Sequence, residues 1–268
     1  AHGVRGRGPE AGRHQPRRLG RMTLLSVNIN KIALLRNSRG TGTPDLVEGA
    51  RLALAGGAQG LTVHPRADER HITMADVGTI AAMDEVREGR IEFNVEGDLR
   101  PDLMDLVEKL RPTQFTIVPV MAGEVTSSRG WRAEDDHAAL KACCDRMRAA
   151  GIRTAVFVDP DPASVRLAAK GGCEGVEIYT GLYADAHERG DFATALDDIE
   201  AAAEQARALN LRLNAGHDLT VENLGPLCAR VRFNEFSIGH RIASDALFRG
   251  LTGTVADFNA VVPDDQGI

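Results

Sequence analysis

The sequence has no apolar run approaching the roughly 18 residues that a membrane-spanning helix needs. With 28 Gly and 11 Pro in 268 residues it also lacks the composition of a collagen-like or disordered chain. Membrane and fibrous classes are excluded. Its four cysteines, Cys143, Cys144, Cys173 and Cys228, form no C-x-x-C pair, so neither a zinc ribbon nor a disulfide framework is indicated, and a reducing cytoplasm is the simplest compartment. Cys143 and Cys144 stand in an Ala-rich helical stretch, where small buried thiols are the expected role. No H-x-H or H-E-x-x-H pair is present, which leaves a metal site without its usual signature. Aromatic residues are scarce at 4%, and only Lys31, Lys109, Lys141 and Lys170 are lysines.

What remains, 43% hydrophobic and 26% charged, is an ordinary soluble globular composition. The net charge of -6 is unevenly spread. Residues 1–21 carry Arg5, Arg7, Arg13, Arg17, Arg18 and Arg21 against Glu10 alone, a charge of +5, so the rest of the chain stands at -11. A body of that sign disfavours a general nucleic-acid surface, and any phosphate binding has to be local. Residues 1–21, rich in Gly, Arg and Pro without an apolar segment, read as a disordered tail rather than a signal peptide. Met22 is a candidate start, and a weak Arg-rich targeting segment is the competing reading. Residues 22–268 are expected to form one catalytic domain.

From Leu24 onward, short β-branched or apolar runs alternate with longer segments of helical period. The strand-like runs are Leu24 to Ile29, Gly60 to Val63, Ile91 to Val95, Phe115 to Val118, Thr154 to Val158, Gly175 to Ile178, Leu211 to Leu213 and Phe233 to Ile238. The helical runs are Asp45 to Ala55, Ala75 to Glu88, Pro101 to Leu110, Glu134 to Ala150, Ala163 to Ala169, Ala193 to Leu209, Val221 to Arg230 and Ile242 to Phe258. Start signals at Thr43-Pro44-Asp45, Thr73 and Thr220, and glycines at Gly56-Gly57, Gly151 and Gly171-Gly172, punctuate them. Eight strand-helix units match the roughly 250 residues of a (β/α)8 TIM barrel. A doubly wound sheet is the alternative, but Asn28-Ile29-Asn30-Lys31 stands where its glycine fingerprint would be.

Barrel chemistry gathers at the C-terminal ends of the strands. Asn94 with Glu96, and Glu177 with Tyr179, are spaced to share one side of a strand, so an inward-facing side would bring two carboxylates into one cavity. Singly, each acid also fits a structural ion pair. His64, His217 and His240 follow three different strands and together favour proton transfer. Two anion sites are foreseen. Asn214-Ala-Gly-His217 and Ser237-Ile-Gly-His240 put glycines before helix N-termini. Lys31, Arg36, Arg39, Arg66 and His71 supply cations in the first two loops, with helix-capping or surface charge the competing role for Arg36 and Arg39. Two phosphates flanking acids and bases suit condensation or dehydration of small phosphorylated carbonyl compounds.

The runs S-V-N-I-N-K-I-A-L-L-R-N-S-R-G, T-V-H-P-R-x-D-E-R-H-I, F-N-V-E-G, E-V-T-S, V-E-I-Y-T-G-x-Y-A-D, L-N-A-G-H-D-L-T and S-I-G-H occur in unbroken order over Leu24 to Leu251. Together they resemble the pyridoxine 5′-phosphate synthase family. The resemblance implies a cytoplasmic barrel enzyme without metal or organic cofactor, assembled as a homo-octamer of paired barrels. It implies two phosphorylated small-molecule substrates, 1-deoxy-D-xylulose 5-phosphate and 3-amino-2-oxopropyl phosphate, and a loop over Met121 to Trp131 that closes on the site.

By position, the resemblance makes His64 and Glu96 proton acceptors, His217 the proton donor, and Glu177 a support for transition-state charge. It places Asn28, Asp218, Gly239 and His240 on the amino-ketone phosphate. Arg39, Arg66, His71 and Thr126 fall on the ketose phosphate, with Asn30 and Lys31 at two further contacts. An aspartate and a histidine commonly stand where this chain has Asn30 and Lys31, and a glycine where it has Asp218. These exchanges leave open a related barrel enzyme on another phosphorylated ketose, and a non-catalytic barrel that binds phosphorylated ligands.

Overall fold

In the computed structural model, residues 23–119 and 129–263 are described. Eight parallel strands close into a barrel in sequence order: β1 (Leu24–Asn28), β2 (Gly60–Val63), β3 (Glu92–Gly97), β4 (Gln114–Ile117), β5 (Arg153–Val158), β6 (Gly175–Tyr179), β7 (Arg212–Gly216) and β8 (Glu235–Ile238), with β8 returning to pair with β1. This is the (β/α)8 architecture the alternation predicts.

One set of alternating residues, including Leu25, Val27, Leu61, Phe93, Phe115, Val176 and Phe236, is buried in the apolar layer between strands and helices. The other set points into the barrel and is polar to an unusual degree. Ser26 and Thr62 share a 2.7 Å hydrogen bond, and Thr116 donates to Asn94 at 2.9 Å. Arg153 reaches Gln114 at 3.0 Å and Glu92 at 2.7 Å. Barrel interiors are usually filled with branched aliphatic side chains. Here much of the polar filling is stabilised by hydrogen bonds among its members in a water-poor space, while inward groups such as Glu235 keep atoms unpartnered among the described residues.

Twelve helices surround the barrel among the described residues. The cap signals read from sequence are all used. The side chains of Asp45, Thr73 and Thr220 accept hydrogen bonds from the first turns of α2 (Leu46–Ala55), α3 (Met74–Ala81) and α10 (Val221–Arg230). Two expected helices are divided. The run Ala75 to Glu88 breaks at Met83, whose extended backbone caps the short α4 (Asp84–Arg87). The run Ile242 to Phe258 breaks at Gly250, which takes φ 76°, ψ 149° between α11 (His240–Arg249) and α12 (Leu251–Val261).

Two helices were not anticipated, α1 (Asn30–Asn37) and α8 (Gly181–Arg189). Both are short and leave leucines outward: Leu34, Leu35 and Leu182 are exposed. The remaining helices, α5 (Pro101–Leu110), α6 (His137–Ala149), α7 (Pro162–Lys170) and α9 (Ala193–Ala208), follow the expected units within a few residues. The expected tail over 1–21 lies outside the described residues.

α1 matters for the site because it fixes the loop after β2. Arg36 grips Asp76 with both terminal nitrogens, at 2.6 and 2.8 Å, and Asn37 donates to the His71 carbonyl at 2.7 Å. Arg36 is therefore a structural cation, committed to a largely buried ion pair rather than to a phosphate or to the surface.

Candidate active site

A cavity of about 470 Å³ opens at the C-terminal ends of the strands. Glu96 stands at its centre. One carboxylate oxygen accepts from the Ser237 hydroxyl at 3.2 Å. The other lies 3.4 Å from the Asn28 amide nitrogen and 3.6 Å from His64 Nδ1. Asn30 secures this group from the side, its amide oxygen accepting from the His64 backbone N–H at 2.9 Å. The inward alternation of β3 is what delivers Glu96 here, two residues beyond Asn94.

Burial pushes the Glu96 carboxyl up to about 7. Glu177, pointing inward from β6, is raised well above the ordinary carboxylate range, first by burial and then by the neighbouring Glu96. Two carboxyls in one dry cavity cannot both ionise cheaply, so they titrate as a pair. The backbone makes room for the second: a Cβ on Gly216 would sit 2.5 Å from a Glu177 oxygen.

The imidazoles shift the other way. Burial drives His64 down to about 3, and the neighbouring His71, Arg66 and Arg100 add to the shift. His71 is held down to about 4 by burial and then by Lys31. Its Nδ1 accepts from the Ile72 amide at 2.9 Å, which assigns the ring proton of the neutral form to Nε2.

Across the mouth, His217 lies between Tyr179 and Phe157, at centroid distances of 5.2 and 6.0 Å, with Nδ1 3.2 Å from an Asp218 oxygen. The Asp218 carboxyl is held below its usual range, chiefly by this hydrogen bond.

Two cationic or donor regions flank these groups. Gly239 caps the ten-residue α11, whose first turn presents backbone N–H groups beside His240. Gly239 packs so closely on β1 that a Cβ would come within 2.9 Å of the Asn28 Cβ. On the other side Lys31, Arg66 and His71 line the cavity. Together these donors can bind two anionic groups with the acid-base cluster between them.

Of the residues anticipated from sequence, Asn28, Asn30, Lys31, His64, Arg66, His71, Glu96, Glu177, His217, Asp218, Gly239 and His240 all line this cavity. Arg39 does not: it is exposed beyond the end of α1. Thr126 lies outside the described residues, as does most of the expected closing loop over Met121 to Trp131. At that loop's C-terminal end, Gly130 donates to Asp159 and Trp131 to the Phe157 carbonyl, both at 2.7 Å. Sequence reasoning placed Ser237 in an anion loop but missed its bond to Glu96, and it missed Arg70 as a cavity residue. The alternation of β8 points to Ser237, one pleat before Gly239, but nothing local distinguishes Arg70 from its arginine neighbours. Among the described residues no group of three or more His, Cys, Asp or Glu side chains is arranged to hold a metal ion.

A family model described as pyridoxal phosphate biosynthesis protein PdxJ matches residues 25–264. The chain is 45% identical over 238 residues to a pyridoxine 5′-phosphate synthase of Bacteroides thetaiotaomicron, covering 88% of this chain and 98% of the relative. It is 44% identical over 240 residues to the enzyme of the same name from Brucella anthropi, covering 89% and 98%. Among solved structures, phosphoribosyl anthranilate isomerase from Thermotoga maritima superposes with a TM-score of 0.58 at 11% identity, covering 90% of this chain and 98% of that one. The 3-keto-L-gulonate-6-phosphate decarboxylase of Vibrio cholerae gives 0.57 at 13% identity, covering 90% and 100%. At such identities the likeness is one of fold.

Proposed function

The chain belongs to the PdxJ family of pyridoxal phosphate biosynthesis proteins, and we propose that it catalyses the reaction for which its relatives are named, as a pyridoxine 5′-phosphate synthase in vitamin B6 biosynthesis. It joins 1-deoxy-D-xylulose 5-phosphate to 3-amino-2-oxopropyl phosphate and releases inorganic phosphate and water. The observation that carries this reading is the placement of Glu96. A carboxyl with a pKa of about 7, between His64 and Ser237 and opposite Glu177, both gives and takes protons at neutral pH.

Condensing an amine with a ketone, closing a ring and expelling phosphate and water demand repeated proton transfers at adjacent atoms. Glu96 and His64 accept them: at neutral pH the proton rests on the Glu96 carboxyl, and the neutral imidazole of His64 beside it accepts only in passing. His217, on the opposite side of the mouth, returns protons to leaving oxygens. Glu177, kept neutral by its surroundings, stabilises developing charge by hydrogen bonding rather than by a full negative charge. Asn28, Gly239 and His240 take the phosphate of the amino ketone, and Lys31, Arg66 and His71 that of the ketose. The binding energy of both phosphates holds the reacting carbons together. Asn30 acts through His64, and Lys31 also polarises the ketose carbonyl. Arg39 and Thr126 remain contacts implied by the resemblance, which also implies that no metal or organic cofactor takes part.

The enzyme works as a homo-octamer in the cytoplasm. Supporting this, Leu34 and Leu35 on α1, Leu182 on α8, and Leu247 and Phe248 on α11 are exposed, the last two at 73% and 90%. Apolar surfaces of that kind are usually covered by another chain. All four cysteines are free thiols, which fits a reducing compartment.

Incubating the protein with both substrates while following free phosphate and a pyridine chromophore tests the activity. Wild-type protein is expected to form both and Glu96→Gln neither at a comparable rate. Phosphate release without the chromophore would point to another phosphorylated ketose as substrate. Binding of both substrates without release would leave a non-catalytic barrel.

A further inference from the structure

The turn that carries His217 is held in an unfavourable backbone conformation. His217 has φ 90° and Asp218 φ 56°, two consecutive non-glycine residues on the left-handed side. Such strain persists only where the surroundings over-determine it, and here they do. The Thr180 hydroxyl lies 2.7 Å from the Gly216 carbonyl and 2.6 Å from that of His217, while the Thr180 N–H donates to Gly216 at 3.0 Å. From the other side Asn223 donates to the Asp218 carbonyl at 3.2 Å. Tyr179 and Phe157 confine the ring itself.

An aspartate in this place is unexpected on binding grounds. It faces the same cavity as the first turn of α11, where a carboxylate would repel an incoming phosphate. Among the described residues its carboxylate pairs with the Nδ1 of His217, 3.2 Å away. A carboxylate can only accept, so the neutral imidazole beside it must carry its proton on Nδ1.

We infer that Asp218 is a positioning residue: its carboxylate fixes the ring orientation and tautomer of His217 and assigns Nε2 to proton transfer, at the expense of a strained turn. This rests on the reading of His217 as the proton donor: in the neutral ring Nε2 is bare, so it first takes up the proton that it later returns to a leaving oxygen, and the Asp218 carboxylate faces the imidazolium in between. The hydrogen bond from His217 is the main reason the carboxylate stays ionised beside a phosphate site, and Lys31, also lining the cavity, adds to it.

The test uses the full chain as wild type, Asp218→Asn and Asp218→Gly, with 15N-labelled histidine rings and the His217 signals assigned through His217→Gln. Asn keeps the size of the side chain but offers either a donor or an acceptor to Nδ1, so it no longer dictates the tautomer. Gly removes the partner and relieves the backbone. Wild type is expected to show the Nδ1-protonated form and both variants a mixture. Turnover should fall about tenfold in each, with KM for either substrate changed less than about twofold. The Gly variant should melt no lower than wild type.

An unaltered tautomer with full turnover in Asp218→Asn would overturn the inference. So would a raised KM for the amino ketone at unchanged kcat, because that would make Asp218 a substrate contact. A wild-type protein that forms no product would defeat the proposed activity, yet the ring-nitrogen spectra would still decide the pairing.

Discussion

Glu235 offers a stability measurement that reads the electrostatics of the barrel interior directly. It is 1% exposed, at the first position of β8, with Asn214 and Leu24 as its Cα partners on the flanking strands. Neither carboxylate oxygen has a hydrogen-bond partner among the described residues. Burial and then Glu92 push its carboxyl up to about 7, against the pull of Arg153 and Arg212. The folded protein therefore holds this proton more tightly than the unfolded chain, whose carboxyl has its ordinary value near 4.5. Its effect is neutral below that value. Stability is lost progressively as pH rises from 4.5 to 7, and the loss is constant above.

Replacing it by glutamine removes the titration while keeping the shape. The variant should gain about 3 kcal/mol relative to wild type at pH 8 but only about 1 kcal/mol at pH 5. Any constant offset from the amide drops out of the difference between the two pH values, as do the titrations of groups that Glu235 does not influence. For a chain of this size the gain at pH 8 is equivalent to about 6–12 °C in Tm. Chemical unfolding followed by circular dichroism, at equal protomer concentration, supplies the measurement. A stability difference independent of pH would refute the reasoning. A variant weaker than wild type at pH 8 would show instead that Glu235 is ionised and paired with Arg212.

Three further outcomes follow from the site and the surface. Gly239→Ala would press a Cβ to 2.9 Å from the Asn28 Cβ and 3.0 Å from its carbonyl oxygen, so we expect about 1–3 kcal/mol of destabilisation and a raised KM for the amino-ketone phosphate in steady-state kinetics. Lys31→Ala should lower kcat/KM for the ketose phosphate about tenfold, and full retained turnover would remove Lys31 from the mechanism. Phe248→Asp puts a charge at the most exposed large apolar side chain described, and sedimentation velocity should show smaller species than wild type if α11 lies in a subunit contact.

How much of this was legible in the sequence depended on how strong each local pattern was. The eight strands are short, apolar and bounded by turn residues, and each was located to within a few positions. The helices α1 and α8 escaped because neither has a full apolar stripe: their outward leucines blur the 3.6-residue period, and their first residues, Asn30 and Gly181, look like continuations of a loop. That omission explains Arg36 and Arg39. Read as part of an open loop, both arginines could reach a phosphate, but a helix turns Arg36 back onto Asp76 and carries Arg39 past the cavity.

The catalytic cluster was readable for a different reason. In a parallel barrel every strand ends at the same rim, so polar residues at those ends converge without any knowledge of long-range contacts. Strand starts follow the same geometry at the opposite end, where Glu92, Arg153, Arg212 and Glu235 open their strands and face inward. In sequence they pass for ordinary polar flanks. Only closure of the sheet brings Arg153 onto Glu92 and leaves Glu235 buried beneath Ser237, the residue that donates to Glu96. The polar alternation that delivers Glu96 to the substrate therefore continues through the whole barrel. The raised pKa of Glu96 comes from burial together with a carboxyl at the far end of that interior, since Glu235 is among the groups that act on it. If so, Glu235→Gln should also move the pH dependence of turnover toward lower pH, because removing a nearby negative charge makes the Glu96 proton easier to lose.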